Sequence, residues 1–431
     1  MNDSVSTAQD SSAASESPYS SATGRRVRDQ VRALVPLIRK NSLEGERAGQ
    51  LPDALLAELQ KTGLFLISVP TEYGGYALGA RDLAEIIISV GRGDGSTGWI
   101  SMIASGHTRI ALALPDKAVA EIYAKAVNWA GPTMAGASLF SEKIQKAERA
   151  EGGYIVKAGG KWLFASGVKH AAFCAVGVDY QDQEGNARRG MCLLEKSQYQ
   201  IVDDWQVMGM RASSSNSVAT TEDVFVPAHR FLDLAEFPVR LAGMSSRFKG
   251  IGYQLDALGL MLIPGLEIMG IVVGMAKGAF ECFVEQAKAK KPFNLPYKTL
   301  SESPAVQITA GKAGAMVRAA EALLLSRADH IDRKAAAREG FDQTEESQIM
   351  MDMVYAGNLA AEAIDLMQYA IGSSTISDFN PIQRFARDAR VALTHGSLRL
   401  EPVAEIHGRQ AFGFPPFQSF AGGLPGVKGK T

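Results

Sequence analysis

Apolar residues along this chain recur at helical spacing, then at alternating spacing, then at helical spacing again. From Arg25 to about Met134 the pattern is helical. Leu51, Leu55, Leu56 and Leu59 form one stripe, with Pro52 and Asp53 at its start and Gly63 just past its end, residues that open and close helices. Leu83, Ile86, Ile87 and Val90 form a second stripe, ended by the cluster Gly91-Arg92-Gly93-Asp94-Gly95. Trp99 to Leu114 predicts a third helix. From about Ala135 to Pro238 the period falls to two. Tyr154-Ile155-Val156, Ala172 to Val178, Met191 to Leu194 and Val224-Phe225-Val226 are short β-prone runs, separated by turn clusters such as Glu151-Gly152-Gly153 and Glu184-Gly185-Asn186. Such spacing suggests a barrel or sandwich. From about Ala242 to Phe420 the helical period returns, over 260–290, 304–337, 344–372 and 381–402. Four such segments make an antiparallel bundle. The fold class is therefore α+β, mostly α: an N-terminal α-helical domain over 25–134, a small central β-barrel domain over 135–240, and a C-terminal four-helix bundle over 241–431.

Composition narrows the function. The 431 residues are 46% hydrophobic and 21% charged, with 45 Lys plus Arg against 46 Asp plus Glu. A net charge of -1 gives no field for nucleic acid or an anionic membrane. The three cysteines, Cys174, Cys192 and Cys282, lack CxxC spacing; a disulfide framework and a cysteine-ligated zinc are not expected, and a reducing cytoplasm fits. Residues 1–24 are small and polar and carry no apolar signal core, so a disordered tail is expected. Gly422 to Thr431 is expected to be loose. Leu258 to Phe280 is the most membrane-like stretch. It is broken by Pro264, Glu267 and Lys277, and a spanning helix needs roughly 20 apolar residues, so a buried core helix is expected instead. The Gly91–Gly95 cluster does not follow a strand, as a dinucleotide fingerprint requires, and reads as an interhelical turn. No nicotinamide-binding βαβ unit is evident.

Four local patterns then fall in order: Gly63 to Pro70 followed by Glu72-Tyr73-Gly74-Gly75; Lys161-Trp162-Leu163-Phe164-Ala165-Ser166-Gly167; Met208-Gly209-Met210-Arg211 through Asp223 to Pro227; and Arg384-Phe385-Ala386-Arg387-Asp388-Ala389-Arg390. Together they resemble the acyl-CoA dehydrogenase superfamily over roughly residues 25–415. Many dehydrogenases of that superfamily carry a Tyr-Glu-Gly-Thr signature after the arginine-rich segment, whose glutamate removes a substrate proton. Here the stretch reads Leu393-Thr394-His395-Gly396-Ser397. With His395, Ser166 and His107, the chain is similar to the flavin-dependent two-component monooxygenases of this fold, among them p-hydroxyphenylacetate hydroxylase, dibenzothiophene monooxygenase and indole-oxidising relatives.

That resemblance implies an oxygenase component taking reduced FMN or FAD from a separate NAD(P)H:flavin reductase. It would use O2, through a flavin C4a-(hydro)peroxide, to hydroxylate or epoxidise a small phenol- or indole-like substrate. It implies catalytic roles for His395 and Ser166, and a substrate-side role for His107. Flavin contacts are expected from Trp162, Ser166, Thr394 and Ser397, and from the turn carrying Arg211 and Ser213, where hydroxyls and a cation suit a phosphate. Trp205 is expected to wall the substrate pocket with His107 and His395; Met208 is expected either to join that wall or, the stronger reading, to have a core or barrel-closure role. The dehydrogenases hold the FAD adenylate with an arginine and a phenylalanine three residues later, from a neighbouring subunit. The comparable site here is Lys290-Lys291-Pro292-Phe293, with Gln307 further on, so only Phe293 of that pair is present. The family also implies a cytoplasmic homotetramer. Two other readings stay open: an acyl-CoA dehydrogenase with a relocated base, for which Glu267 is the candidate, and a non-catalytic helical scaffold. Arg247 could clamp a substrate carboxylate or be ordinary surface charge.

Overall fold

The computed structural model describes residues 17–414 apart from 125, 138 and 140–144. Most of the expected N-terminal tail and the Gly422–Thr431 end lie outside the described residues. The helical pattern starts earlier than expected: Ala22, Thr23 and Gly24 already belong to the first helix, whose N-cap Ser21 accepts from the Gly24 amide.

Five helices come first: α1 (Ala22–Ala48), α2 (Asp53–Lys61), α3 (Ala80–Gly91), α4 (Gly95–Leu112) and α5 (Asp116–Tyr123). The Gly91–Gly95 cluster is the turn between α3 and α4. Asp94 caps α4 by accepting from the Thr97 amide and hydroxyl, both at 2.8 Å. The segment from Gly63 to Gly75 contains no strand; two 3-10 turns, Leu64–Leu66 and Thr71–Tyr73, fold it.

The strands follow: β1 (Met134–Ala137), β2 (Gln145–Ala150), β3 (Gly153–Val156), β4 (Lys161–Trp162), β5 (Phe173–Gln181), β6 (Ala187–Glu195), β7 (Gln200–Val202), β8 (Ser217–Ala219), β9 (Val224–Pro227) and β10 (Phe231–Asp233). One sheet runs β10-β6-β5-β2-β3-β9, with β1 parallel to β5, and a smaller one runs β4-β8-β7. The β5–β6 hairpin sets the register, from Phe173 opposite Glu195 to Gln181 opposite Ala187. The sheets share a core of Trp162, Val176, Val178, Cys192, Leu194, Val218 and Val226. This is the curled β layer expected from the alternating runs, although the short strands β2, β7, β8 and β10 carry too few apolar positions to be read from pattern.

Helices α6 (Phe237–Ala242) and α7 (Met244–Arg247) lead into the bundle: α8 (Ala257–Ala289), α9 (Pro304–Ala337), α10 (Gln343–Ile371), α11 (Pro381–Leu393) and α12 (Leu400–Ala411). By length and composition α8 could cross a bilayer, but 83% of its most apolar window is buried inside the fold. It packs against α3, α4, α9, α10 and α11, which explains why its apolar residues run all round rather than down one face. Pro264 sits inside it and leaves the Leu260 carbonyl without its helical donor.

One expected helix is divided. The 381–402 segment stops at Leu393, and Thr394 to Arg399 turn before α12 begins. Pro402 gives the reason: in a continuous helix it would lack an amide for the residue 398 carbonyl and would clash with it. His395 therefore stands on a turn, with φ -56° and ψ 128°, not on a helix.

The helical and sheet layers are clasped by charge. Glu46 of α1 accepts from Arg384 Nε at 2.9 Å and Arg387 Nη2 at 2.6 Å, both on α11. Arg387 also donates to the Met208 carbonyl, and Met210 N–H donates to Asp388 Oδ1 at 2.6 Å. Burial works to raise the Glu46 pKa, but the two arginines hold it below the usual carboxylate value. A depressed folded pKa adds stability above the unfolded pKa and loses it as pH falls through the folded one. Glu46→Gln should therefore lose about 2 kcal/mol in urea unfolding at pH 7. The gap to the parent should close below about pH 4; a gap unchanged with pH would show that Glu46 is not held ionised by this clasp.

Candidate active site

A cavity of about 600 Å³ lies between the sheets and the bundle. Along α4, Met102, Gly106 and Arg109 follow one another at i, i+4, i+7, with Ile103, His107 and Ile110 beside them, and all six line it. Trp205, Phe164, Ser166, Met210, Ser213 and Ser215 come from the sheet side. Leu260, Pro264 and Ile268 come from α8, Met350 from α10, and Val391, Thr394, His395 and Ser397 from the end of α11 and its turn. The lining is mostly apolar, as in small-molecule sites, and no Asp or Glu lines it among the described residues.

Its polar groups are organised. Trp99 Nε1–H donates to Ser166 Oγ at 3.2 Å, Ser166 Oγ and Ser215 Oγ are 2.8 Å apart, and Ser213 Oγ and Ser215 Oγ are also 2.8 Å apart. This hydroxyl chain forms one edge. The turn that carries it is set by contact: a Cβ on Gly209 would lie 2.7 Å from the Arg387 carbonyl carbon and oxygen, so only glycine lets the turn approach α11 this closely. Phe164, with φ +58°, stands edge-on to Trp205 at 6.1 Å between ring centroids. Trp205 Nε1–H is held by the Met210 carbonyl at 3.0 Å.

The two histidines differ. His107 Nδ1 lies 3.2 Å from the Met134 carbonyl, which can only accept, so Nδ1 carries the proton. Burial lowers its pKa to about 4, opposed by that carbonyl, and the ring is neutral at pH 7. Its Nε2 lone pair then faces Gly136, where an added Cβ would lie 3.5 Å away. His395 Nδ1 pairs with Ser397 Oγ at 3.0 Å, and its ring lies 6.2 Å from that of Trp99. Thr394, His395 and Gly396 are exposed and line the cavity, and desolvation lowers the His395 pKa. Thr394 spends its hydroxyl proton on the Val391 carbonyl at 2.7 Å, leaving only lone pairs for an occupant.

The structure thus gathers Ser166, His395, His107, Thr394, Ser397, Ser213 and Trp205, and it places three other expected flavin contacts outside the cavity lining of the single chain. Trp162 is fully buried in the sheet core and donates to the Gly177 carbonyl at 2.7 Å, because its strand position points inward. Arg211 does not line the cavity; it donates to the Val207 carbonyl and lies 3.8 Å from Glu46. Phe293 is 89% exposed on the loop between α8 and α9, away from the cavity lining. Met208 is 51% exposed rather than in the core, and Arg247 is occupied by the Leu112 carbonyl and Asp116. Glu267 is wholly buried and does not line the cavity. The sequence reading missed Trp99, Ser215 and Arg109. The Ser213-Ser214-Ser215 run was a visible signal for Ser215; no local signal marked the other two.

Flat aromatic walls beside a row of hydroxyls suit an isoalloxazine. The acyl-CoA dehydrogenase N-terminal domain matches residues 21–114 and the C-terminal domain matches 266–399, together just over half of the chain. The chain is 27% identical over 383 residues to the flavin-dependent monooxygenase oxygenase subunit HsaA of Mycobacterium tuberculosis, covering 89% of this chain and 94% of that one. It is 27% identical over 416 residues to the oxygenase component of an FADH2-dependent resorcinol hydroxylase of Rhizobium, covering 93% and 98%. The structure of XiaF from Streptomyces in complex with FADH2 and glycerol superposes with a TM-score of 0.81 at 24% identity, covering 91% and 96%, a likeness of fold. The cofactor is accordingly reduced flavin with O2 as co-substrate, and the chain belongs to the acyl-CoA dehydrogenase family, in its branch of flavin-dependent monooxygenase oxygenase subunits.

Proposed function

We propose that this cavity hydroxylates or epoxidises a phenol- or indole-like substrate, with Ser166 and His395 at the flavin and His107 at the substrate. The observation that carries the reading is the cavity lining itself: two neutral imidazoles and a hydroxyl chain, with no acid among the described lining residues. Bound reduced flavin would supply the electrons that activate O2.

The chain's own residues have three tasks. The apolar wall of Ile103, Leu260, Ile268 and Met350 excludes water, which otherwise diverts reduced oxygen to hydrogen peroxide. Ser166, fixed between Trp99 and Ser215, offers a hydroxyl toward the flavin edge, and Ser213, Thr394 and Ser397 add further hydroxyls that can hold the ring. His395, neutral at pH 7, can donate through one ring nitrogen or accept through the other and so hold a proton beside the reacting oxygen. His107 can only accept at Nε2, so it orients a phenol O–H or an indole N–H. Trp205 and Phe164 wall the aromatic substrate.

A separate reductase supplies the reduced flavin; its support is that the relatives are named as oxygenase subunits or components. The working form is a cytoplasmic homotetramer. Its support is apolar surface on the bundle: Met316, Leu366, Tyr369 and Ile376 line a shallow groove, and Tyr369, Ile376 and Phe379 are 90%, 80% and 73% exposed in the single chain. Phe293 joins the flavin site only if a neighbouring subunit brings it there. Light scattering should give a mass near four chains; a monomer at micromolar concentration contradicts the assembly.

The reaction is tested by mixing the protein with chemically reduced FMN or FAD, 18O2 and either indole or resorcinol. One 18O atom should enter the product. Ser166→Ala and His395→Ala should lower product yield by about 10², with hydrogen peroxide released in its place and melting temperature unchanged. Unaltered coupling in both variants removes these two residues from the chemistry, and peroxide alone with every flavin and substrate removes the oxygenase.

A further inference from the structure

One charged group on the cavity wall has no task in that scheme. Arg109 is 4% exposed and lines the cavity, yet its Nε and Nη1 are buried without a hydrogen-bond partner. A guanidinium stays charged at any working pH, and buried donors left unpaired are costly. A buried acid that feels its charge, Glu267 of α8, makes no ion pair with it; the group within reach of the Glu267 carboxyl is the Ser105 hydroxyl. The chain therefore holds a planar cation in the cavity wall with two enclosed donors unspent, and a carboxylate that reached it would be matched by the guanidinium fork.

The position on α4 selects what such a carboxylate would belong to. Arg109 and His107 both line the cavity from α4, but two residues apart on a helix their side chains diverge by roughly 200°, so a carboxylate at Arg109 and a ring atom held at His107 would lie on opposite flanks of that helix. The hydroxyl edge of Ser166, Ser215 and Ser213 comes from the sheet side instead. We propose that Arg109 anchors a carboxylate on the aromatic substrate, so that aromatic acids are preferred over their neutral counterparts. This rests on the oxygenase reading of the cavity.

Glu267 makes the anchor sensitive to pH. Burial raises its pKa to about 7, with the Arg109 charge and the Ser105 hydroxyl opposing the rise. The other titratable groups around the guanidinium are His107 of its own helix, Tyr123 of α5 and Tyr253 of the segment before α8. His107 is neutral above about pH 4, and burial pushes both tyrosines up, so they stay neutral. Above pH 7 the Glu267 carboxylate offsets the Arg109 charge and repels a second anion. Affinity for an aromatic acid should therefore fall as pH rises through about 7, and affinity for a neutral aromatic should not.

The experiment compares indole with indole-3-acetate and p-cresol with 4-hydroxyphenylacetate, using the full chain with reduced flavin: anaerobic Kd first, then kcat and KM under O2. The parent should bind each acid at least about tenfold more tightly than its neutral partner at pH 6.5. Arg109→Gln should abolish that preference through KM, leave indole and p-cresol within about twofold, and leave flavin affinity unchanged. Arg109→Lys should restore part of it. Glu267→Gln should keep the preference and flatten its pH dependence. No preference in the parent overturns the anchor, as does equal weakening of acid and neutral ligands by Arg109→Gln. A loss of flavin affinity in Arg109→Gln assigns the cation to the cofactor and equally overturns it. Turnover of indole and p-cresol by the parent keeps the two readings apart: if they are oxygenated without acid preference, only the anchor fails.

Discussion

The charge clasp around Glu46 is the constraint on which the site depends. It joins α1 to two arginines of α11, and through the Met208 carbonyl and the Met210 amide it fixes the turn that carries Ser213 and Ser215. The apolar contact that accompanies it is non-directional and by itself sets no register between layers. The clasp sets that register. It leaves a cleft whose hydroxyl chain comes from one layer and whose histidine turn comes from the other.

Desolvation then determines what the cleft can do. The same low-polarity surroundings keep His107 and His395 neutral and hold the buried Glu267 close to half-protonated near pH 7. A neutral imidazole can accept or donate without carrying charge into an apolar site. An oxygenase needs such groups, because a dry pocket limits loss of reduced oxygen to peroxide. A dehydrogenase of this fold needs a carboxylate facing its substrate; among the described residues no Asp or Glu lines the cavity, and Glu267 is buried outside its lining.

Much of this was legible in the chain. Helical stripes, alternating runs and Gly/Pro punctuation report which face of each element is buried, so the order of helices, sheets and bundle could be read from them. Ser166 and His395 were legible because each sits inside a local run of distinctive residues. Trp162 sits in the same run as Ser166 but misled: strand side chains alternate, and the pleat turns its ring into the sheet core. The break at Thr394 was written in Pro402, eight residues on, and went unread because the apolar period continues across it. Trp99 and Arg109 were hidden for another reason. Their roles arise from what α8, α11 and the sheet layer place opposite α4, and no local pattern encodes such a long-range pairing.

The most direct test of the central claim is a crystal structure of the protein with FMN or FAD and an aromatic ligand bound. The account predicts the isoalloxazine edge against the Ser166–Ser215 hydroxyls, His395 and Thr394 facing it from the bundle side, and the aromatic ring between His107 and Trp205. A flavin bound elsewhere, or His395 turned out of the cleft with Glu267 facing the ring in its place, would contradict it.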